Sequence, residues 1–215
     1  MSVSPDESEE NIPHGERLIA LDIDAVRTEL MSQAAIYQKF DFPRELRMSN
    51  TEFERVIATL VTPQPEWYKG RFDIPVVVIG TRVLLERQYE MLGCNWSIPG
   101  RNWINDEAYK IPDVPHLVWM QDGTRNIGRS VDNVLSSLAI DERGATLHDG
   151  VGLYVARPGI LQHHFIDFPG TRSVIEQPYG NIDNAHLDLS LGEPCVGGGS
   201  IYPVFSMYGS VTCGK

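Results

Sequence analysis

Ile74-Pro75-Val76-Val77-Val78-Ile79 is the stretch on which the fold turns. The run is mostly β-branched, carries no charge, and is short enough to predict a buried strand. Its surroundings read as helix. Upstream, Ile23 to Phe40 sets Val26, Leu30, Ala34 and Tyr37 on one stripe at the 3.6-residue period of an amphipathic helix, with Asp22 or Asp24 as its cap. Asp41-Phe42-Pro43 stops that helix, and Ser49 with Glu52 forms a capping box ahead of Phe53, Val56, Ile57 and Leu60, which predicts a second. The Pro-containing stretch from Thr62 to Asp73 is then the connector into the strand.

Downstream, Gly93 to Pro115 mixes Trp96, Trp103 and several Pro and Gly, and reads as a long ordered loop wrapped over the domain. His116 to Met120 is a second strand, and Gln121-Asp122-Gly123 a turn. Ser130 caps a helix carrying Val131, Val134, Leu135 and Leu138. Thr146 and Asp149 form another capping box, opening a helix through Leu147, Val151, Tyr154 and Val155 that ends before Pro158. From Gln162 onward, Val174-Ile175, Leu187-Asp188-Leu189 and Ile201 to Met207 are short β-prone pieces between Gly, Pro and Asn clusters, predicting strands joined by turns. The expected fold is α+β: N-terminal helices, a central small sheet with packed helices, and a C-terminal strand-and-turn segment. Residues 17–215 are expected to form one domain, preceded by a disordered acidic tail over residues 1–16.

A hydrophobic fraction of 42% with 22% charged residues belongs to an ordinary globular chain. The net charge of −11 argues against a nucleic-acid surface, where Lys and Arg must neutralise phosphates. The acids Asp6, Glu7, Glu9 and Glu10 leave no room for a signal peptide's basic and apolar regions, and no run approaches the eighteen or so apolar residues of a membrane helix. A cytoplasmic location without membrane contact is expected. Cys94, Cys195 and Cys213 form an odd set without Cys-x-x-Cys spacing, so reduced thiols are the simplest reading.

Three stretches carry a family resemblance. They are Phe42-Pro43 with Met48-Ser49 and Phe53; Val114-Pro115-His116-Leu117-Val118 running to Gln121-Asp122-Gly123; and Ala145-Thr146-Leu147-His148-Asp149-Gly150-Val151-Gly152-Leu153 leading to Pro158. From about Leu30 onward the chain resembles the uncharacterised bacterial domain-of-unknown-function family 5701. That family reads Leu-Thr-x-x-Glu-Gly at the last stretch, where this chain has Ala145 and Asp149. The resemblance implies no activity.

Chemistry is suggested in four places. Leu18-Ile19-Ala20-Leu21 followed by Asp22-Ile23-Asp24-Ala25-Val26 resembles the first motif of haloacid-dehalogenase-type phosphatases, in which the first Asp attacks phosphorus and the second handles the leaving-group proton. Thr81, after the Val76–Ile79 run, would bind a phosphate oxygen; Lys110 is a weak third part, and Asp122 lacks the acidic pair that would hold Mg²⁺. Helix capping by Asp22 and Asp24 is the competing reading. His148, Asp149, His163, His164, Asp167 and His186 hold groups suited to a divalent transition metal or to proton transfer, though Asp149 is accounted for by its cap. His148 is expected exposed in the first turn of its helix, and His163 and His164 point to opposite faces if extended. Val196-Gly197-Gly198-Gly199-Ser200 after Cys195 reads as a flexible turn rather than an anion cradle. Trp67-Tyr68 and Trp96 are the candidates for a ligand-binding surface, since aromatic rings give contact area at small entropic cost. The leading expectation is a non-catalytic module without a cofactor, binding a protein or small ligand on a surface formed by the long loop and the C-terminal strands. The alternative is a Mg²⁺-dependent phosphohydrolase using Asp22 and Asp24. Ligand, partner and oligomeric state stay open at this level.

Overall fold

The computed structural model describes residues 21–97, 103–105, 109–174, 182–200 and 206–215. The acidic stretch 1–16 and the Leu18–Ala20 run lie outside them. In chain order the elements are α1 (Ile23–Lys39), α2 (Phe42–Glu45), α3 (Asn50–Thr59), β1 (Ile74–Val78), α4 (Leu85–Met91), β2 (Asn95–Trp96), β3 (Ile104–Asn105) and β4 (His116–Met120). Then follow α5 (Val131–Leu135), β5 (Glu142–Gly144), α6 (Leu147–Ala156), β6 (Phe165–Val174), β7 (Ile182–Ser190), β8 (Glu193–Ser200), β9 (Tyr208–Ser210) and β10 (Thr212–Gly214). This is an α+β fold with two sheets.

The first sheet has the order β1-β4-β10-β5, antiparallel throughout. Its β1 edge is sealed by α1: the Gln33 side chain donates to the Pro75 carbonyl at 2.7 Å and accepts from the Val77 amide at 2.9 Å, while the Tyr37 hydroxyl donates to the Val77 carbonyl at 2.7 Å. An edge strand left open is a template for pairing with other chains, and here two helix side chains take the place of a neighbouring strand. The second sheet runs β2-β8-β7-β6-β3, with β9 on the first half of β6. A bulge between Phe168 and Arg172 bends β6 until Gly170 donates its amide to the Ala145 carbonyl at 2.9 Å. Gly144 and Gly170 approach so closely that a Cβ on either would overlap the other's backbone.

Between the sheets lies α6, which packs on β1 on one side and on β6 and β7 on another. Its Leu147, Val151, Leu153 and Val155 are buried, as a helix enclosed by sheets requires. Both predicted capping boxes are present: Ser49 with Glu52 opens α3, and Thr146 with Asp149 opens α6. The stripe Val26, Leu30, Ala34 and Tyr37 is the buried face of α1. Among the described residues no helix is long and apolar enough to cross a membrane.

Several expectations change. The Val196–Ser200 stretch is no turn but part of β8, paired along its length with β7. The reason is steric: the His186 ring lies on Gly197, and any side chain there would overlap it. Ser206 and Met207 form a turn rather than a strand, and Ile201–Phe205 lie outside the described residues. The helix after Ser130 ends at Leu135, short of Leu138. The expected long loop contains β2 and β3, which were illegible because each is two residues long.

Candidate functional site

Across the open face of the first sheet, opposite α6, the connector from Thr62 to Asp73 leaves a groove of about 540 Å³. Trp67 and Tyr68 line one side, in a 3-10 turn that follows Pro65, with Tyr109, Leu117, Trp119 and Arg143 lining the rest. Tyr68 is fixed by three contacts. Its hydroxyl donates to the Lys215 carbonyl at 2.6 Å, its ring meets Phe72 edge-on at 5.1 Å, and it lies on Gly214, where a Cβ would overlap it. Trp67 is left two-thirds exposed, an unusual position for so large an apolar ring.

Arg143 reaches the groove from β5. Its guanidinium makes a two-pronged ion pair with Asp149, at 2.7 and 3.0 Å, and the Tyr109 ring stacks on its other side with 3.4 Å from centroid to Cζ. Both charges are buried. Burial works to raise the Asp149 carboxyl, but the Arg143 charge and the bonds from Arg143 and Thr146 outweigh it and hold the carboxyl below the usual range. Removing one partner of such a pair costs about 3–5 kcal/mol. The Arg143 Nε–H is buried with no acceptor. Tyr109 is held in turn by His116, which donates from Nδ1 to the Val114 carbonyl at 3.0 Å, so that its neutral ring presents Nε2 to the Tyr109 hydroxyl at 3.5 Å. A second cavity of about 300 Å³, lined by Leu138 and Thr146, shares Tyr109 and Arg143 with the groove.

The sequence candidates fall in separate places. Trp67 and Tyr68 line the groove, whereas Trp96 packs edge-on against Tyr89 at 5.5 Å, at the β2 end of the other sheet. Asp22 caps α1, accepting from the Ala25 amide at 2.7 Å, and Asp24 pairs with Arg27 on the same helix. Thr81 is exposed, its amide donating to the Pro112 carbonyl at 3.1 Å.

The metal candidates are likewise dispersed. His148 is buried, against the expectation of an exposed first turn, because α6 is enclosed on all sides; its Nδ1 has no partner and burial lowers its pKa. His163 is exposed and His164 buried, donating from Nε2 to the Asp122 carbonyl at 2.8 Å. Asp167 and His186 do meet, as a cross-strand pair of β6 and β7. His186 Nε2 lies 3.4 Å from Asp188, which also accepts from the Tyr208 hydroxyl at 3.0 Å. Burial pushes the Asp167 carboxyl up to about 6, against the opposing effects of His186 and of the Asn184 amide. Among the described residues no three His, Cys, Asp or Glu side chains gather as a metal ion would need. The three cysteines are buried free thiols, and burial raises the pKa of each.

Compared with known protein families, curated proteins and solved structures, the chain matches none. The groove is therefore read from its own chemistry. Sequence reasoning missed Tyr109, Trp119 and Arg143. Strand pairing brings Trp119 of β4 and Arg143 of β5 to the groove, and Tyr109, which lies in no strand, reaches it through its stack on Arg143.

Proposed function

We propose that the protein is a binding module whose ligand is a small, flat, largely apolar molecule held in the groove beside Trp67. The observation that carries this reading is the groove itself. Its volume falls within the roughly 300–1,000 Å³ of small-molecule sites, and its walls are aromatic around few polar groups, as such sites are. Trp67, Tyr68 and Trp119 offer ring faces and edges, and Arg143, fixed by Asp149 and Tyr109, is a rigid polar mark at the floor. Rigid aromatic walls lose little entropy when a ligand arrives. Two of the three stretches that resemble domain-of-unknown-function family 5701 bear on the same place: one supplies Leu117, and another supplies Asp149, which pairs with Arg143, and Thr146, which bonds Asp149.

A fragment library screened by thermal shift and ligand-observed NMR tests this. Flat aromatic fragments should bind and compete with one another, and Trp67→Ala should weaken them by about tenfold, the worth of one ring contact together with its buried area. Trp67 is largely exposed, so the variant should keep the wild-type melting temperature. A library without competing aromatic hits, or hits indifferent to Trp67→Ala, would count against a small-molecule groove and favour a protein partner.

A further inference from the structure

A different cavity, of about 250 Å³, opens between the 3-10 turn Thr124–Asn126, α5 and the start of β5, and its lining includes Arg125, Asn126, Arg129, Ser137 and Glu142. It is smaller than the groove and far more polar in what it presents. Arg129 makes three hydrogen bonds, all to neutral oxygens: the Asn126 side chain at 3.1 Å, the Asn133 carbonyl at 3.2 Å and the Ser137 hydroxyl at 2.8 Å. Arg125 makes two, to Glu142 and to the Thr212 hydroxyl. A guanidinium carries five N–H donors, so 5 − 3 = 2 remain on Arg129 and 5 − 2 = 3 on Arg125. Arg125 and Arg129 are both exposed residues that line the cavity, so their side chains are open to water and to a ligand entering it.

The charge balance points the same way. Glu142 is already engaged, with Arg125 on one oxygen and Arg71 at 3.7 Å from the other, and Asp141 is gripped by Arg71 at 2.9 and 3.0 Å. Three guanidinium groups against these two carboxylates leave one positive charge, in a protein whose formal net charge is −11. Burial, and then the charges of Arg71 and Arg129, lower the Arg125 pKa; an anion placed among these groups relieves that repulsion.

We propose that this cavity binds a phosphate-bearing small molecule, with Arg125 and Arg129 gripping the phosphoryl oxygens. Two forks arriving from two residues suit a tetrahedral group with three terminal oxygens, whereas a planar carboxylate is satisfied by one fork. The site is independent of the aromatic groove, and either stands if the other fails.

Titration calorimetry with inorganic phosphate, and separately with acetate, at ionic strength held constant by sodium chloride, tests the assignment. Saturable binding of phosphate with little or none of acetate is expected. Arg129→Gln should weaken phosphate by at least about tenfold, as loss of charge-assisted bonds does, and Arg129→Lys should fall between, keeping the charge and losing the fork. Arg27→Gln, on the exposed side of α1, should bind as the wild type does. Saturable broadening of the phosphate line in phosphorus NMR by the wild-type protein provides a readout that needs no variant. Absence of saturable phosphate binding by both methods, equal binding of acetate, or unchanged affinity in a folded Arg129→Gln protein would overturn the proposal.

Discussion

Asp167 is a carboxyl whose surroundings favour its protonated form. In the unfolded chain it loses its proton near pH 3.9, whereas burial between β6 and β7 keeps the proton on up to about pH 6. The native state thus binds the extra proton in that interval. Stability from this residue is greatest below about pH 4, falls as the pH rises to about 6, and stays lower above it. The difference amounts to about 2–3 kcal/mol at neutral pH. Asparagine has no charge to bury and keeps an oxygen for the Asn184 amide, which donates to Asp167 at 3.3 Å. Asp167→Asn should therefore raise the urea midpoint at about pH 7.5, by the equivalent of about 1–2 kcal/mol, and leave it nearly unchanged at about pH 4. Equal effects at the two pH values would show that packing rather than charge governs the site. The pair of Asp167 with His186 was half legible in the sequence: both residues stood out as titratable, within a wider set suited to a divalent metal or to proton transfer. Only the register of β6 against β7 reveals that Asp167 faces His186, whose ring lies on Gly197.

Local rules read well at the level of elements where they act within one turn, and poorly where two elements decide together. The capping boxes at Ser49 and Thr146 follow from residues three apart, and α1 follows from its stripe. Gly197–Gly199 looked like a turn because glycine breaks strands when read alone; the ring of His186, eleven positions earlier, is what makes the absence of a side chain useful. Gly152 in α6 poses the same problem with opposing magnitudes. Helix propensity alone favours Ala over Gly by about 1 kcal/mol. Against that, a Cβ at Gly152 would lie 2.6 Å from the Val77 carbonyl oxygen, a backbone atom of the buried edge strand β1 that cannot rotate away. Overpacking of this kind costs about 1–3 kcal/mol and should win. Gly152→Ala is expected to destabilise by up to about 2 kcal/mol net. Gly159→Ala is the control, since that residue has a φ of −90° and open space around it. It should be neutral or stabilising by up to about 1 kcal/mol. Thermal melts of the two variants side by side decide the matter, and a stabilised Gly152→Ala protein would mean that α6 is free to shift on β1.

The two sheets are not independent bodies joined by a helix. β9 belongs to the second and β10 to the first, and a single residue, Val211, separates them. Its amide donates to the Asp167 carbonyl of β6 at 3.0 Å, and its carbonyl accepts from the Ala145 amide beyond β5, also at 3.0 Å. The side chain is wholly buried in a hydrophobic cluster that runs from Val26 to Cys213 and includes core residues of both sheets. Such continuity forbids one sheet from opening while the other stays intact, because freeing either strand exposes the same core and breaks hydrogen bonds on both sides. Val211→Ala removes two buried methyl groups and should cost about 1–3 kcal/mol. The decisive reading is where that loss appears. In native-state hydrogen exchange, the amide of Val118 in the first sheet and that of Leu187 in the second should lose protection by the same free energy, since both exchange through the one global opening. If protection falls near β9 and β10 while Leu187 keeps its wild-type value, the sheets open separately, and the continuous strand is a tether rather than the element that couples them.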